Sequence, residues 1–228
     1  MNPNRNWILN PSDFAFFWEE CKRCFYLKVA TKFPRPRSPM PRIFGLGDAQ
    51  MREFYSGKQT RDAMPFLPPG TIDTSASRVQ SAAISVPGHS SNCTIKGKRD
   101  TLVRFNDNTY GIVDFKTSGP RSEHKMLYSR QLHRYALALE NTAPGNLLLS
   151  PVTKLGLIVF EPSAFLMSRS YSASLTGDVN WVEIPRNDSQ FLAFLDEVLS
   201  ILELPNPPRR FPTCQWCQYQ NTSRMTKL

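Results

Sequence analysis

Two aspartates and a lysine within one short stretch could bind a metal ion and act on a phosphate group. The stretch is GKRDTLVRFNDNTYGIVDFKTSG, residues 97–119, and it contains Asp100, Asp114 and Lys116. Neighbouring carboxylates repel each other, and a hard divalent cation such as Mg²⁺ or Mn²⁺ removes that repulsion. Lys116 would lie beside such an ion. There its ammonium can orient an attacking water and stabilise the charge that develops on a phosphate.

A predicted hairpin brings the two carboxylates together. Residues 106–108 (NDN) predict a three-residue loop whose last residue takes a left-handed conformation. Phe105 then pairs with Thr109, and counting back along the strands places Asp100 directly opposite Asp114. Opposed residues in an antiparallel pair share a face, so both carboxylates point to the same side of the sheet.

The same charges could instead form two solvated cross-strand ion pairs, Asp100 with Lys116 and Asp114 with Lys98. For an arbitrary Asp-x-Lys sequence this is the better interpretation. Here the opposed carboxylate and the apolar character of the other face favour a metal site. That other face consists of Thr101, Val103, Phe105, Val113 and Phe115.

The elements that must position these residues follow from the hydrophobic spacing. Helices are predicted at residues 12–30 (Ser12 as N-cap), 43–56, 125–140 and 188–203 (Asp188 as N-cap). Strands are predicted at residues 94–105, 109–117, 154–161 and near 181–184. Residues 57–92 are rich in Ser, Pro and Gly, and we expect a long loop or small insertion there, with a short helix near 77–84.

Gln131 and Tyr135 are four residues apart and therefore share one face of the helix at 125–140. An amide and a phenol placed together could hydrogen-bond a phosphate or a base edge. The alternative is that both are polar residues on a solvated helix face. His133, and His124 in the preceding loop, are interpreted as surface residues.

Four of the five cysteines form two C-x-x-C pairs, one near each end of the chain: Cys21, Cys24, Cys214 and Cys217. The opening MNPNRNW lacks the apolar core of a secretory signal, and without one this arrangement favours a metal site over disulfides. Four thiolates suit either a [4Fe–4S] cluster or Zn²⁺. Either would join the two ends of the chain. Cys93 is interpreted as an ordinary buried cysteine.

The composition is that of a globular protein with an anionic partner. The 228 residues are enough for one sizeable domain, and the net charge of +9, with a pI near 9.5, favours nucleic acid as the partner. No run of eighteen apolar residues is present, so we expect no membrane span and a cytoplasmic location.

Three motifs together resemble the PD-(D/E)XK nuclease superfamily: GKRD ending at Asp100, VDFKT around Asp114 and Lys116, and QLHRY from Gln131 to Tyr135. The resemblance is to its RecB-like branch, which includes CRISPR-associated exonucleases and the nuclease domains of recombination helicase–nucleases. It implies that the two aspartates bind Mg²⁺ or Mn²⁺, that the lysine is catalytic, and that the glutamine and tyrosine contact the substrate. It also implies an α/β fold with a restriction-endonuclease-like core, a mixed and mostly antiparallel sheet flanked by helices.

The sequence departs from this family pattern in two places. The branch often carries a metal-binding histidine on the helix before the hairpin, but residues 43–56 contain none. Gln50 is the first choice as a substitute ligand, ahead of Asp48 and Glu53, and all three could equally be surface residues. Cluster-bearing members have one cysteine before the core and three after it, whereas this chain has two and two, with Cys24 in place of the missing third. The family favours [4Fe–4S], and the symmetric pairs favour Zn²⁺.

The sequence therefore predicts a single nuclease-like domain, residues 1–228, in which residues 1–42 and 204–228 form a cysteine metal-cluster lobe. The expected activity is that of a metal-dependent DNA nuclease, and more narrowly an exonuclease that acts on single strands or duplex ends. Such an enzyme would serve DNA repair, recombination or CRISPR-type processing, and would be nucleoid-associated if bacterial. The alternatives are a non-catalytic nucleic-acid-binding module and a subunit of a larger DNA-processing complex that needs a protein partner.

Overall fold

The computed structural model describes residues 5–14, 16–36, 41–75, 77–99, 101–117, 119, 125–169 and 171–225. The helices are α1 (Pro11–Phe14), α2 (Phe16–Glu20), α3 (Lys22–Ala30), α4 (Arg42–Tyr55), α5 (Thr60–Ala63), α6 (Lys125–Glu140), α7 (Asp188–Leu202) and α8 (Gln215–Met225). The strands are β1 (Asn6–Leu9), β2 (Gly70–Asp73), β3 (Arg78–Gln80), β4 (Ile84–Ser85), β5 (Asn92–Lys98), β6 (Thr101–Phe105), β7 (Tyr110–Lys116), β8 (Val152–Met167) and β9 (Ala173–Glu183).

The strands form two sheets. The larger has the order β2-β6-β7-β8-β9, and in the smaller β5 pairs with β1, β3 and β4. The β1–β5 and β7–β8 pairs are parallel and the other described pairs are antiparallel, so the architecture is mixed and mostly antiparallel, as predicted. The single strand predicted at 94–105 is in fact two strands, β5 and β6, that belong to different sheets.

Alternate side chains of β7 enter two hydrophobic cores, because both faces of the larger sheet are covered. Val113 and Phe115 belong to the smaller core, where Phe115 stacks on Tyr55 of α4 with ring centroids 5.3 Å apart. Ile112 belongs to the larger core, which includes residues of α6 and α7. Asp114 therefore lies on the larger-core face, at the end of the strand.

The two long helices after the hairpin agree well with the sequence. α6 has the predicted bounds, and α7 ends one residue before its predicted end. The buried residues of α7 repeat with helical spacing and form one apolar stripe: Phe191, Phe194, Leu195, Val198, Leu199 and Leu202. The predicted N-cap of α7 is wrong. The side chain of Asn187, not Asp188, accepts the backbone N–H of Gln190 at 2.9 Å.

The predictions for two other segments, residues 12–30 and 57–92, differ from the structure. The predicted helix at 12–30 is interrupted at Cys21, and Ser12 lies within α1 rather than before it. Cys21 has an extended backbone with φ −169°, which ends one helix and starts the next. Residues 57–92 contain α5, β2, β3 and β4, so the short helix predicted near 77–84 is wrong. These strands are too short to show a period of their own, and their register comes from the longer partner strands.

Both ends of the chain meet beside α3. The hydroxyl of Tyr26 donates to the carbonyl of Leu204 at 3.0 Å, and the guanidinium of Arg23 donates to the carbonyl of Pro208 at 3.1 Å. Helix α8 then follows. Within the described ranges, none of the helices combines the length and apolarity needed to cross a lipid bilayer.

Candidate active site and cysteine cluster

Asp114 is a buried carboxylate at the end of β7, with an exposed fraction of only 4%. Its Oδ2 atom accepts a hydrogen bond from Lys116 Nζ at 2.5 Å and another from Gln131 Nε2 at 2.8 Å. The solvated ion pairs considered as an alternative are therefore wrong for Asp114. A buried carboxylate oxygen is a hard ligand of the kind that Mg²⁺ and Mn²⁺ prefer, so its chemistry fits such an ion.

The ammonium of Lys116 is held from two sides while remaining within reach of solvent. It contacts the carboxylate of Asp114, and it lies 5.0 Å from the centre of the Tyr128 ring. The Lys116 side chain is 22% exposed. A cation restrained in this way can interact with a phosphate that approaches the end of the strand.

Helix α6 places both of its motif residues against the site, but through different contacts. Gln131 holds the carboxylate of Asp114. Tyr135 is only 3% exposed, and its hydroxyl donates to the carbonyl of Lys98 at 2.6 Å, at the end of β5. The interpretation of these two residues as polar groups on a solvated helix face is wrong, because α6 packs this face onto the sheet.

Asp100 lies outside the described residues, but the strands beside it have the predicted register. Thr101 pairs with Val113, the backbone of Phe105 bonds to Thr109, and Asn108 has φ 64°.

Arg99 is a residue whose contribution the sequence did not reveal. It is 3% exposed, and its guanidinium donates to Ser77 Oγ at 2.6 Å and to Asp73 Oδ2 at 3.1 Å. Burial raises the pKa of Asp73, but hydrogen bonds from Ser75 and Arg99 outweigh it, and the net pKa is lowered. The ionised pair ties the corner that precedes residue 100 to β2.

Helix α4 reaches the same end of β7 from the opposite face of the sheet. A Cβ on Gly47 would lie 3.3 Å from Thr117, so the helix approaches the strand closely there. Gln50 is exposed and lines a cavity of about 780 Å³ to which Thr117 also contributes. Asp48 is paired with Arg52 at 2.8 Å. Of the three substitutes named for the missing histidine, Gln50 is the one that lines this cavity.

Glu161 adds a carboxylate at this edge of the sheet. Lys116 pairs with Val159 in the parallel β7–β8 ladder, and Glu161 lies two residues farther along β8, on the same face. A Cβ on Gly119 would collide with its Oε1 atom, so its carboxylate borders the segment that follows Lys116. The sequence could not reveal this, because nothing local indicates which strand lies beside β7.

His133 differs from its predicted placement on the surface. His133 is 2% exposed; its Nδ1 lies 2.8 Å from the carbonyl of Ser129, and its Nε2 accepts the backbone N–H of Asn187 at 2.7 Å. An acceptor Nε2 means a neutral ring, in agreement with a pKa lowered by burial. His133 is thus a buried structural residue, while His124 lies outside the described residues.

The four paired cysteines come together from the two ends of the chain, as predicted. All four are buried, and their Sγ atoms lie within 4.8 Å of one another: Cys21, Cys24, Cys214 and Cys217. In each pair the first cysteine precedes a helix and the second lies in its first turn, which puts both thiols on one side. Cys93 is separate and fully buried, and burial raises its pKa to about 12.

The cysteine thiols do not titrate alike. Burial raises the pKa of Cys21, but hydrogen bonds from the backbone of Cys24 and Phe211 and from the thiols of Cys24 and Cys217 together outweigh it, so the net pKa is lowered. Burial and the neighbouring thiols raise the pKa of Cys217 to about 11. Several thiolates this close together repel one another, and a bound cation relieves that repulsion.

The sulphur spacing fits a single tetrahedral ion. The Sγ atoms of Cys21 and Cys217, of Cys24 and Cys214, and of Cys24 and Cys217 are each 3.7 Å apart. Four ligands at the usual Zn–S distance span tetrahedral edges of about 3.8 Å. In a [4Fe–4S] cluster each thiolate binds a different iron at a corner of a cube, so the sulphurs must stand much farther apart. The donor set fits both groups, and its spacing fits the single ion.

Comparison with known proteins agrees with this architecture. The family profile described as the PD-(D/E)XK nuclease superfamily matches residues 69–222, which include Asp114, Lys116, Gln131 and Tyr135. A solved structure entitled "Crystal structure of SSO0001" is similar, with a TM-score of 0.50, 14% identity, and coverage of 94% of this chain and 84% of that one. At that identity the likeness concerns the fold alone. No curated protein matches the chain at a significant level.

Proposed function

Because the chain belongs to the PD-(D/E)XK nuclease superfamily, we propose that it is a metal-dependent deoxyribonuclease of the RecB-like branch. More narrowly, we propose an exonuclease that acts on single strands or duplex ends during DNA repair, recombination or CRISPR-type processing. The basic net charge of +9 supports a polyanionic substrate.

One observation carries this proposal: the buried Asp114 carboxylate shares its Oδ2 atom between the ammonium of Lys116 and the amide of Gln131. A buried carboxylate is costly unless its environment compensates the charge, and here two donors from different elements do so. A purely structural ion pair needs no third residue to fix the direction of the carboxylate. A metal ligand does, because its oxygen atoms must point at the ion.

Each residue then has a defined task. Asp100 and Asp114 would hold Mg²⁺ or Mn²⁺, which would supply Lewis-acid stabilisation of the charge that develops on the scissile phosphate. Lys116 orients the attacking water and neutralises part of that charge. Gln131 keeps the carboxylate of Asp114 in position. Gln50 lies on an element that packs on the opposite face, so we give it the lesser role of completing the coordination around the end of β7.

Tyr135 is assigned to positioning in this proposal, in place of the substrate contact that the family resemblance implies. Its hydroxyl is bonded to the carbonyl of Lys98, and its side chain is buried. It therefore acts on the backbone immediately before Arg99 and Asp100, and through that backbone on the metal ligand.

For the cysteine cluster we propose Zn²⁺, although the resemblance to cluster-bearing members favours [4Fe–4S]. The support is the 3.7 Å spacing of three sulphur pairs. Its role is structural, because four thiolates leave no open position for substrate on a tetrahedral ion. The test is the metal content of protein purified without added metal. One zinc per chain and no visible absorption support the proposal, while about four irons with brown colour and inorganic sulphide contradict it.

The nuclease proposal is tested with end-labelled single-stranded and duplex DNA. Cleavage should require added Mg²⁺ or Mn²⁺, and release of labelled mononucleotides from one end would support the exonuclease assignment and give its polarity. Tight DNA binding without cation-dependent cleavage would instead favour the non-catalytic module, in keeping with the absence of a histidine from residues 43–56. Activity that returns only with a co-purified protein would favour the subunit of a larger complex.

A further inference from the structure

A basic cavity opens beside the cysteine cluster, on elements that supply no residue to the candidate active site. Its volume is about 480 Å³. Three guanidinium groups, two amides and one thiol line it: Arg23, Arg209, Arg210, Gln220, Asn221 and Cys217. Among the described lining residues there is no carboxylate. The cavity is therefore rich in hydrogen-bond donors and strongly positive.

The surrounding chain holds the Arg23 side chain and restrains the backbone at Arg209 and Arg210. Arg23 lies in α3 one residue before the ligand Cys24, and its Nη1 donates to the carbonyl of Pro208 at 3.1 Å. That bond fixes the residue that directly precedes Arg209. Prolines at 207, 208 and 212 stiffen the segment, and the backbone N–H of Cys214 donates to the carbonyl of Phe211 at 3.0 Å. The cysteine site and the arginines thus share one framework.

Several arginines of this protein have acidic partners within the described ranges. Arg130 is paired with Glu19, Arg35 with Glu20, and Arg186 with Glu140. By contrast, Arg23, Arg209 and Arg210 form no ion pair with any residue in the described part of the chain. Three guanidinium groups around one cavity repel one another, and an anion bound between them converts that repulsion into attraction.

We propose that this cavity binds a phosphate group of the nucleic-acid strand, at a distance from the phosphate that is cleaved. Guanidinium groups bind phosphate with paired, charge-assisted hydrogen bonds, and the side-chain amides of Gln220 and Asn221 add neutral donors. The identity of the strand rests on the proposed function, whereas phosphate as the ligand rests on the cavity alone. The site adds affinity and orients the strand without touching the reacting atoms.

The test compares binding by Arg209→Gln/Arg210→Gln with binding by the parent protein, both in a Lys116→Ala background so that the DNA stays intact. Both arginines are exposed, so the change should leave the fold intact, which circular dichroism and the metal content of the protein verify. Fluorescence anisotropy with a labelled 30-nucleotide strand at several salt concentrations gives Kd and its salt dependence. Arg61→Gln shows the effect of losing one arginine charge elsewhere, because that side chain is 79% exposed and lies outside the cavity.

We expect the double variant to bind at least about tenfold more weakly at low salt. The slope of log K against log salt should become shallower by about 0.7 for each phosphate that the variant no longer neutralises. The difference in affinity between the parent protein and the double variant should vanish with a methylphosphonate strand, whose backbone is uncharged. Equal affinities and slopes for parent and variant would overturn the proposal. So would a variant that loses only the binding of inorganic pyrophosphate, because the ligand would then be a free phosphate compound.

These outcomes separate the two proposals. Weaker binding by the double variant, with no cleavage by wild-type protein under any cation, would keep the phosphate site and remove the nuclease. Cation-dependent cleavage by wild-type protein, with unchanged binding by the double variant, would support the nuclease and exclude the phosphate site.

Discussion

The substitution Tyr135→Phe separates positioning from substrate contact, because it removes one oxygen atom and nothing else. That hydroxyl donates to the carbonyl of Lys98 at 2.6 Å, and the ring is 3% exposed. Lys98 ends β5, and the chain then passes through Arg99 to the predicted metal ligand Asp100. Loss of the bond frees the carbonyl at this corner while the ring keeps its packing.

The expected stability change is small. A typical buried hydrogen bond contributes about 1 kcal/mol to the free energy of unfolding. For a chain of 228 residues that corresponds to a Tm lower by about 2–4 °C. The effect on catalysis should exceed the effect on stability, because a shift of the backbone at Lys98 would displace the predicted metal ligand Asp100. We expect kcat to fall about tenfold or more, with little change in KM.

Tyr26→Phe is the matched control. Its hydroxyl also donates to a backbone carbonyl, that of Leu204 at 3.0 Å, and its ring is 8% exposed. It joins α3 to the C-terminal segment and forms no hydrogen bond with Asp114, Lys116 or Gln131, which are described residues of the candidate active site. Urea denaturation should give similar losses for both variants, whereas steady-state cleavage should fall for Tyr135→Phe alone. A raised KM with unchanged kcat for Tyr135→Phe would refute the positioning role and indicate substrate contact.

Two further predictions concern stability. His89 lies 2.8 Å from Asp196 and 3.0 Å from Glu203; burial lowers its pKa, but these carboxylates outweigh it and the net pKa is raised. A raised pKa contributes stability that is fully present below the unfolded value of about 6.5 and lost as the pH rises through the folded value, so His89→Gln should lower the Tm more at pH 6 than at pH 9. An equal decrease in Tm at pH 6 and pH 9 would contradict a raised pKa for His89. A Cβ on Gly156 would collide with the ring of Trp181, so Gly156→Ala should cost about 1–3 kcal/mol in urea denaturation. Gly45→Ala, which meets nothing within 4 Å, should be neutral or stabilising, and equal effects of the two changes would argue against the close packing of Trp181.

The hairpin and the helix after it could be predicted because their determinants are local. The loop at residues 106–108 fixes the register, which the pairing of Thr101 with Val113 confirms. The bounds of α6 follow from a continuous helical pattern. The convergence of the four cysteines could also be predicted from the sequence. A metal site of this kind needs four thiolates, and each C-x-x-C motif supplies only two, so the two motifs must come together.

The remaining features depend on contacts between distant segments. Parallel pairing of β7 with β8 brings Glu161 to the site, and the ion pair of Arg99 with Asp73 ties the residue after β5 to β2, 26 residues earlier in the chain. The burial of His133 depends on the backbone of Asn187, some fifty residues later. None of these has a local signal, because each depends on which elements lie side by side.

The most direct test of the central claim is the rate at which wild type, Asp114→Asn and Lys116→Ala cleave end-labelled DNA in Mn²⁺. Lys154→Ala is the matched control, since Lys154 also pairs with a carboxylate, that of Glu183 at 2.7 Å, on the same sheet. We predict cleavage by wild type and by the control, and a loss of about 10²-fold or more in the two site variants, which should remain folded. Wild-type rates in both site variants would contradict the account.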